Sequence, residues 1–465
     1  MPTSCVKVAH GILLHGQIPD GSIERQQLLK KINVGNTSFR DAGKELGAKT
    51  GEGGLRFFDS TTRSHIRLGP GAGLVVGVSV GTSSLRACLV DANGVLRHTH
   101  TSPPVPDQLA LSSRELLDRI RDAAAVVLRS GLDDADLLVD GALPFLGLVV
   151  GWATPVDREK RPKGPALRDR GWHNGVPLNQ RVAEHLHIDH ERSHALNDAH
   201  AAAIAVAWTQ TRSDKHVTQS HPRMAIVMRL AGAISGASII VEPPEMTDYG
   251  QVSGFAKSIL MGGADMHAGE LGHVPLDSEI IAELNENRPI GLGELTPCRC
   301  SCTEPSERMP KHLEAYAGAQ ALAYRIAPDE PQCDVVGKIR AAPAMKVHQR
   351  ALEDVGVLVG HALLGPVAML NPATITLTGS LATETVRRAI AEHVSESLPF
   401  GGSPEVRLLA PDVNPFIRAQ GAALAVLRGK VYRKLDELVG GPKSRVSEPV
   451  RLLTEPLTAL PWEPS

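Results

Sequence analysis

The sequence predicts an α/β protein behind a separate N-terminal helical module, and three observations carry that expectation. At 465 residues the chain is long enough for two or three domains, each with its own core. A glycine-rich break, Gly69-Pro70-Gly71-Ala72-Gly73, divides a short polar head from the rest. Behind it, short runs of buried-strand type alternate with long segments of helical apolar spacing.

Charge says little about the whole chain, because 49 basic residues nearly balance 51 acidic ones. The head differs. Residues 1–68 hold ten Lys or Arg against six Asp or Glu, a local excess of four positive charges that agrees with a DNA-binding module. The opening Met-Pro-Thr-Ser-Cys-Val-Lys lacks a signal-peptide core, and no apolar run reads as long enough to cross a bilayer. The expectation is a cytoplasmic protein with no membrane contact, and thiols kept available for metal agree with a reducing compartment.

Within the head, Ile23, Leu28, Leu29 and Ile32 lie near helical spacing, with Ser22 as an N-cap. A break at Asn33-Val34-Gly35 precedes a second helix from Asn36 or Thr37 through Leu46, carrying Arg40, Lys44 and Lys49 outward. Two short helices joined by a glycine-containing turn fit a helix-turn-helix, whose second helix would lie in a major groove. Residues 55–58 and 65–68 then alternate like a hairpin, a wing that would bring Arg56, Arg63 and Arg67 near phosphates.

Past the break, Leu74–Val80 reads as a buried strand. A turn at 81–84, a strand at 85–90, the tight turn Asp91-Ala92-Asn93-Gly94 and a strand at 95–98 follow. Helical spacing over 112–130 predicts a crossover helix, and 146–150 another buried strand. The histidines between 185 and 190 lack a fixed ligand spacing and read as a solvated loop. Asn197-Asp198 precedes an alanine-rich helix former, so either residue can cap that helix. Residues 209–222 read as a surface loop, 224–229 as a strand, 243–263 as an insertion, 315–326 as one helix and 327–345 as a polar insert. Then come a long apolar helix at 351–370, a strand at 374–377, an alanine-rich helix at 414–427 and a Pro-rich tail.

The residues hardest to explain as packing lie between 269 and 314. Three of the six cysteines, Cys298, Cys300 and Cys302, fall within five residues, too close for an unstrained disulfide. Their thiolates, with an imidazole, can instead complete the tetrahedral set of a structural zinc site.

The run Gly269-Glu270-Leu271-Gly272-His273, the close cysteines and Leu313-Glu314-Ala315-Tyr316 together resemble the ROK proteins, a family of repressors, open reading frames and sugar kinases. The resemblance covers about residues 73–430 and implies the two-lobed, ribonuclease H-like fold of the actin-like ATPases, behind a winged helix-turn-helix. The implied division is 1–68 for the DNA-binding domain, 74–208 for the first lobe, 209–431 for the second lobe with its zinc, and 432–465 for the tail. The resemblance makes His273, Cys298 and Cys300 zinc ligands; the fourth is Cys302 or His312. It makes Asn197, Asp198, Glu270, His273 and Glu314 sugar contacts, and it makes Asp198 the base in those members that are kinases.

Two departures point away from kinase chemistry. The family's kinases have Asp where this chain has Ser79, and Gly where it has Thr82. Several glycines of a second phosphate-wrapping run are also replaced over 230–237. The resemblance therefore implies a sugar-responsive regulator with structural zinc and no working ATP–magnesium site. It would bind operator DNA through Arg40, Lys44, Arg56 and Arg63, as a homodimer or homotetramer. The alternative is an ATP-dependent sugar kinase using Asp198.

Overall fold

The structure is a computed structural model that describes residues 23–32, 34–45, 58–60, 65–81, 84–105, 111–154, 156–157, 159–162, 172, 176–213, 223–231, 234–241, 245–246, 252–253, 271–286, 312–327, 332–342, 345–398, 403–409 and 414–440. They divide into two compact units, one from within 1–220, 243–255 and 416–465, the other from within 221–242 and 256–415.

The first unit begins with a small head. Strand β1 (Ile23–Glu24) leads into helices α1 (Arg25–Ile32) and α2 (Asn36–Glu45), and strands β2 (Phe58–Ser60) and β3 (His65–Leu68) follow. The strands form an antiparallel sheet in the order β1-β3-β2, with Ile23 opposite Ile66 and Phe58 opposite Leu68. The helix expected to start at a Ser22 cap starts later, because Ile23 and Glu24 are held extended by pairing with β3. Arg25 ties the two helices. Its guanidinium lies 5.0 Å from the Phe39 ring centre, and its Nη2 donates to Asn36 Oδ1 at 3.3 Å.

The break expected at 69–73 is a fixed joint. Pro70–Ala72 form a buried turn of 3-10 helix, and Leu146 packs against Gly73, whose φ of 119° needs glycine. Five strands follow in the sheet order β6-β5-β4-β7-β8. Strands β4 (Leu74–Val80), β5 (Leu85–Asp91) and β6 (Leu96–Thr101) run antiparallel in turn, while β7 (Phe145–Trp152) and β8 (Ser193–Asn197) run parallel to β4. Helix α3 (Ser113–Leu132), capped by the reciprocal Ser112 and Glu115 bonds, packs Leu116, Ile120 and Val127 against Val76, Val78 and Val80. Of the histidines expected in a solvated loop, His187 and His190 are exposed, whereas His185 is helical and half-buried. His185 ends helix α4 (Leu178–Leu186), with its Nε2 2.9 Å from Asp118 Oδ1, and His187 closes that helix in left-handed conformation.

Helices α5 (Asp198–Ser213) and, at the far end of the chain, the helix Ile417–Gly440 cover the other sheet face. Two expectations are corrected here. Residues 209–213 continue α5 instead of opening a loop, and the alanine-rich segment assigned to the second lobe belongs with the first unit. The physical reason is close approach. A Cβ on Gly77 would lie 1.9 Å from the Ala419 carbonyl oxygen, and one on Gly421 only 1.7 Å from that of Ala201. The same helix carries the ordered chain to Gly440, past the boundary expected at 432.

In the second unit, β9 (Arg223–Leu230) and β10 (Ile234–Val241) form an antiparallel hairpin. The sheet order is β10-β9-β13-β14, with β11 (Glu245–Met246) and β12 (Val252–Ser253) a separate small pair that belongs to the first unit. Strand β13 (Thr374–Thr378) runs parallel to both β9 and β14 (Glu405–Leu408). The segment expected as a phosphate loop is therefore largely strand, paired with β9 from Ile234 onward and buried on both faces from Ile234 to Ile239.

Helices α6 (Ser278–Glu286), α7 (Leu313–Ala317), α8 (Ala319–Ile326), α9 (Gln332–Ala341), α10 (Lys346–Leu370) and α11 (Glu384–Ser397) complete this unit. The single helix expected at 315–326 is two, because Gly318 is extended, and the insert expected at 327–345 contains α9. Contrary to the sequence reading, α10 is long and apolar enough to cross a membrane. Here it is a core helix, with Leu352, Val355, Leu358 and Leu363 packed among Ile375, Leu377, Val386 and Ile390.

Replacing Gly421 by alanine should lower stability by about 1–3 kcal/mol. A urea midpoint equal to that of the parent chain would contradict the described approach to Ala201.

Candidate ligand site

The site grows from the end of β8. Asn197 ends that strand beside Trp152 of β7, and the chain turns at once into α5. Asn197 Oδ1 accepts from the amides of Ala199 at 2.8 Å and His200 at 3.4 Å, which caps α5. Its Nδ2 donates to the Thr154 carbonyl at 3.0 Å and so holds the segment after β7. Trp152 is itself pinned, edge-to-face with the buried Trp172 at 5.2 Å. Carboxyl ends of parallel strands are where open α/β sheets place their ligands.

Asp198 follows at the first position of α5 and is buried. The residue that holds it is Arg418, whose Nη1 lies 2.8 Å from Asp198 Oδ2; the two side chains are 13% and 3% exposed. Arg418 also lies against the turn after β4, where a Cβ on Gly81 would come within 3.3 Å of its Nη2. Ser79 is on the same sheet face as Gly77, paired across β5 with Arg86 and across β7 with Gly151. It is buried, and its hydroxyl meets no hydrogen-bond partner among the described residues. Burial, and after it the charge of Arg418, hold the Arg86 guanidinium below its usual range. The turn is thus flanked by Ser79 of β4, Arg86 of β5 and Arg418 of the C-terminal helix, with Thr82 outside the described residues.

Glu314 and His312 lie in the second unit. Glu314 Oε2 accepts from the Ile234 amide at 3.3 Å, and a Cβ on Gly272 would come within 2.7 Å of the same oxygen. Only glycine at 272 leaves room for that carboxylate. His312 is buried, with Nδ1 3.2 Å from the Gly272 carbonyl oxygen. That contact fixes the ring against the Leu271–His273 turn. The 3-10 turn Leu271–His273 is described but the His273 side chain is not, and Glu270, Cys298, Cys300 and Cys302 lie outside the described residues. Among the described residues no three His, Cys, Asp or Glu side chains gather as a metal set.

The structure therefore brings Asn197 and Asp198 together in one unit, and His312, Glu314 and the Leu271–His273 turn in the other. Of the expected DNA contacts, Arg40 is exposed on α2 and the backbone of Lys44 lies in the same helix; Arg56 and Arg63 fall outside the described residues. Arg418 was missed by sequence reasoning. It follows Asp198 by 220 positions, and no motif marks it.

The strand orders and the β8–α5 corner define a two-lobed α/β protein. No protein-family model matches the sequence, and no curated protein does. Solved structures do. The chain is similar to a ROK family transcriptional regulator, a homologue of the E. coli MLC protein, with a TM-score of 0.55 at 15% identity over 94% of this chain and 99% of that one. A ROK family glucokinase from Streptomyces griseus, solved with glucose and AMPPNP, has a TM-score of 0.49 at 18% identity over 76% of this chain and 98% of that one. A ROK hexokinase from Thermus thermophilus gives 0.49 at 19% identity over 78% and 99%. The likeness to the regulator shows the fold alone, an α/β architecture of two compact units.

Replacing Arg418 by methionine removes the guanidinium that faces a buried carboxylate and should destabilise the protein by about 3–5 kcal/mol. Adding Asp198→Asn should recover much of that loss in denaturant titrations, and strictly additive losses would deny the pair.

Proposed function

We propose that the chain is a ROK-family transcriptional regulator that binds operator DNA through its head and responds to a sugar or related polyol in its body. The observation that carries this reading is the ion pair between Asp198 and Arg418. A fixed guanidinium satisfies the carboxylate without magnesium or nucleotide, and Ser79 supplies no charge to hold either. Asp198 then serves as an acceptor for sugar hydroxyls, beside Asn197. Glu314, and with it Glu270 and His273, would supply the second unit's contacts.

In this reading zinc is structural, held by His273, Cys298 and Cys300 with either Cys302 or His312. The orientation of His312 by Gly272 supports His312 as the fourth. The head's two short helices beside a three-stranded antiparallel sheet support a winged helix-turn-helix, with α2 as the reading helix. Arg40, Lys44, Arg56 and Arg63 would meet phosphates or base edges. Operators of pseudo-twofold symmetry would be read by a homodimer or a homotetramer in the cytoplasm.

Purified protein should retard a subset of genomic fragments in a gel shift, with a band changed by one member of a sugar panel. No specific fragment at any sugar would remove the regulator reading. That sugar should raise the melting temperature without ATP, and turnover of ATP with it would install a sugar kinase instead. Metal analysis should find one zinc per chain, lost in Cys298→Ser; a metal-free, fully folded protein would dismiss the zinc set.

A further inference from the structure

The start of the C-terminal helix, here α12 (Ile417–Gly440), touches three elements through four consecutive residues. Arg418 holds Asp198 at the start of α5. The Ala419 carbonyl lies against Gly77 of β4, and Gly421 lies against the Ala201 carbonyl of α5. Between them, Gln420 Nε2 donates to the Gly94 carbonyl at 2.9 Å.

Gly94 belongs to the tight turn between β5 and β6, and it has a second neighbour from α5. A Cβ there would come within 2.5 Å of the Trp208 indole nitrogen, and its φ of 77° keeps the position for glycine. Asp91 braces this turn by accepting from the Asn93 and Val95 amides at 2.8 and 3.0 Å and from Arg97 Nε at 2.7 Å. The turn in turn holds the head. Asn93 Oδ1 accepts from the Leu68 amide at 2.9 Å, and Asn93 Nδ2 donates to the Leu68 carbonyl at 2.7 Å. Leu68 is the last residue of β3, and both it and Asn93 are buried.

We infer that Arg418 is a positioning residue that couples the Asp198 corner to the head, through Gln420, the Gly94 carbonyl and the paired Asn93–Leu68 bonds. Both helices that meet at Asp198 also meet at this turn: α12 through Gln420 and α5 through Trp208. A change in how Asp198 is engaged shifts Arg418, and the helix turn that carries Arg418 carries Gln420 with it. Because Gly77 and Gly421 leave no side chain as padding, the turn moves as a rigid piece. The joint at 69–73 is fixed, so a displaced Leu68 re-aims β3 within the head. The inference gives the proposed sensor its route from ligand to DNA and rests on that reading for its purpose, although its geometry requires neither sugar nor operator.

The test uses the full chain without either ligand and reads amide hydrogen exchange at Leu68. Asn93→Ala should speed that exchange by about tenfold or more, because the amide loses its acceptor. Arg418→Met and Gln420→Leu should each speed it by about threefold, their combination no more than either alone, and Arg418→Lys should restore most of the protection. The coupling is overturned if Arg418→Met leaves Leu68 unchanged. It is overturned equally if the acceleration spreads evenly over the amides of β4 and β7, since that reports loss of the fold and not a route. Absence of sugar or DNA binding in the earlier assays would remove the sensor reading while leaving this result standing.

Discussion

A buried carboxylate can persist only if something of opposite charge or several donors answers it. In this chain that demand falls on Asp198, and Arg418 meets it from a helix 220 positions further on. The consequence reaches beyond one bond. Arg418 can reach Asp198 only if α12 lies directly on the sheet, and α12 lies there only because glycines at 77 and 421 and alanines at 201, 419 and 422 remove the side chains that would hold it away. Electrostatics at the site and steric emptiness under the helix are therefore one constraint. Either alone would leave the corner unsatisfied.

The same close packing brings Arg418 to the end of β4, where a Cβ on Gly81 would meet its guanidinium. The strand–turn–strand opening of the first lobe is retained in register, with Ser79 opposite Arg86 and Gly151. Beside it stand the Arg86 and Arg418 guanidinium groups and the Asp198 carboxylate that Arg418 holds. A fold of this kind can host catalysis or sensing, and only the residues at the site distinguish them.

Local structure was well legible in the sequence where periodicity was strong. Strands β4, β5 and β7, helices α2, α3 and α10, and the tight turn at Asp91 to Gly94 lie close to where apolar spacing and turn chemistry put them. The cap at Asn197 was readable too, because an amide side chain before an alanine-rich run has one obvious use. The misreadings share a cause. The polar stretch at 332–341 is helical with one buried face, from Val335, Val336 and Ile339, and polarity alone does not reveal that. Glycines at 69–73 suggested looseness, yet they are small because Leu146 and the buried 3-10 turn need the space.

By itself the sequence determined the alternation of strands and helices and the corner at Asn197 and Asp198. Only the tertiary structure decided that the last helix belongs to the first unit, that Arg418 answers Asp198, and that Asn93 grips the end of the head. The physical reason is that spacing along a chain encodes which face of an element is buried, whereas the identity of the partner depends on the path the chain takes through space. Small residues announce that something comes close; they do not say what.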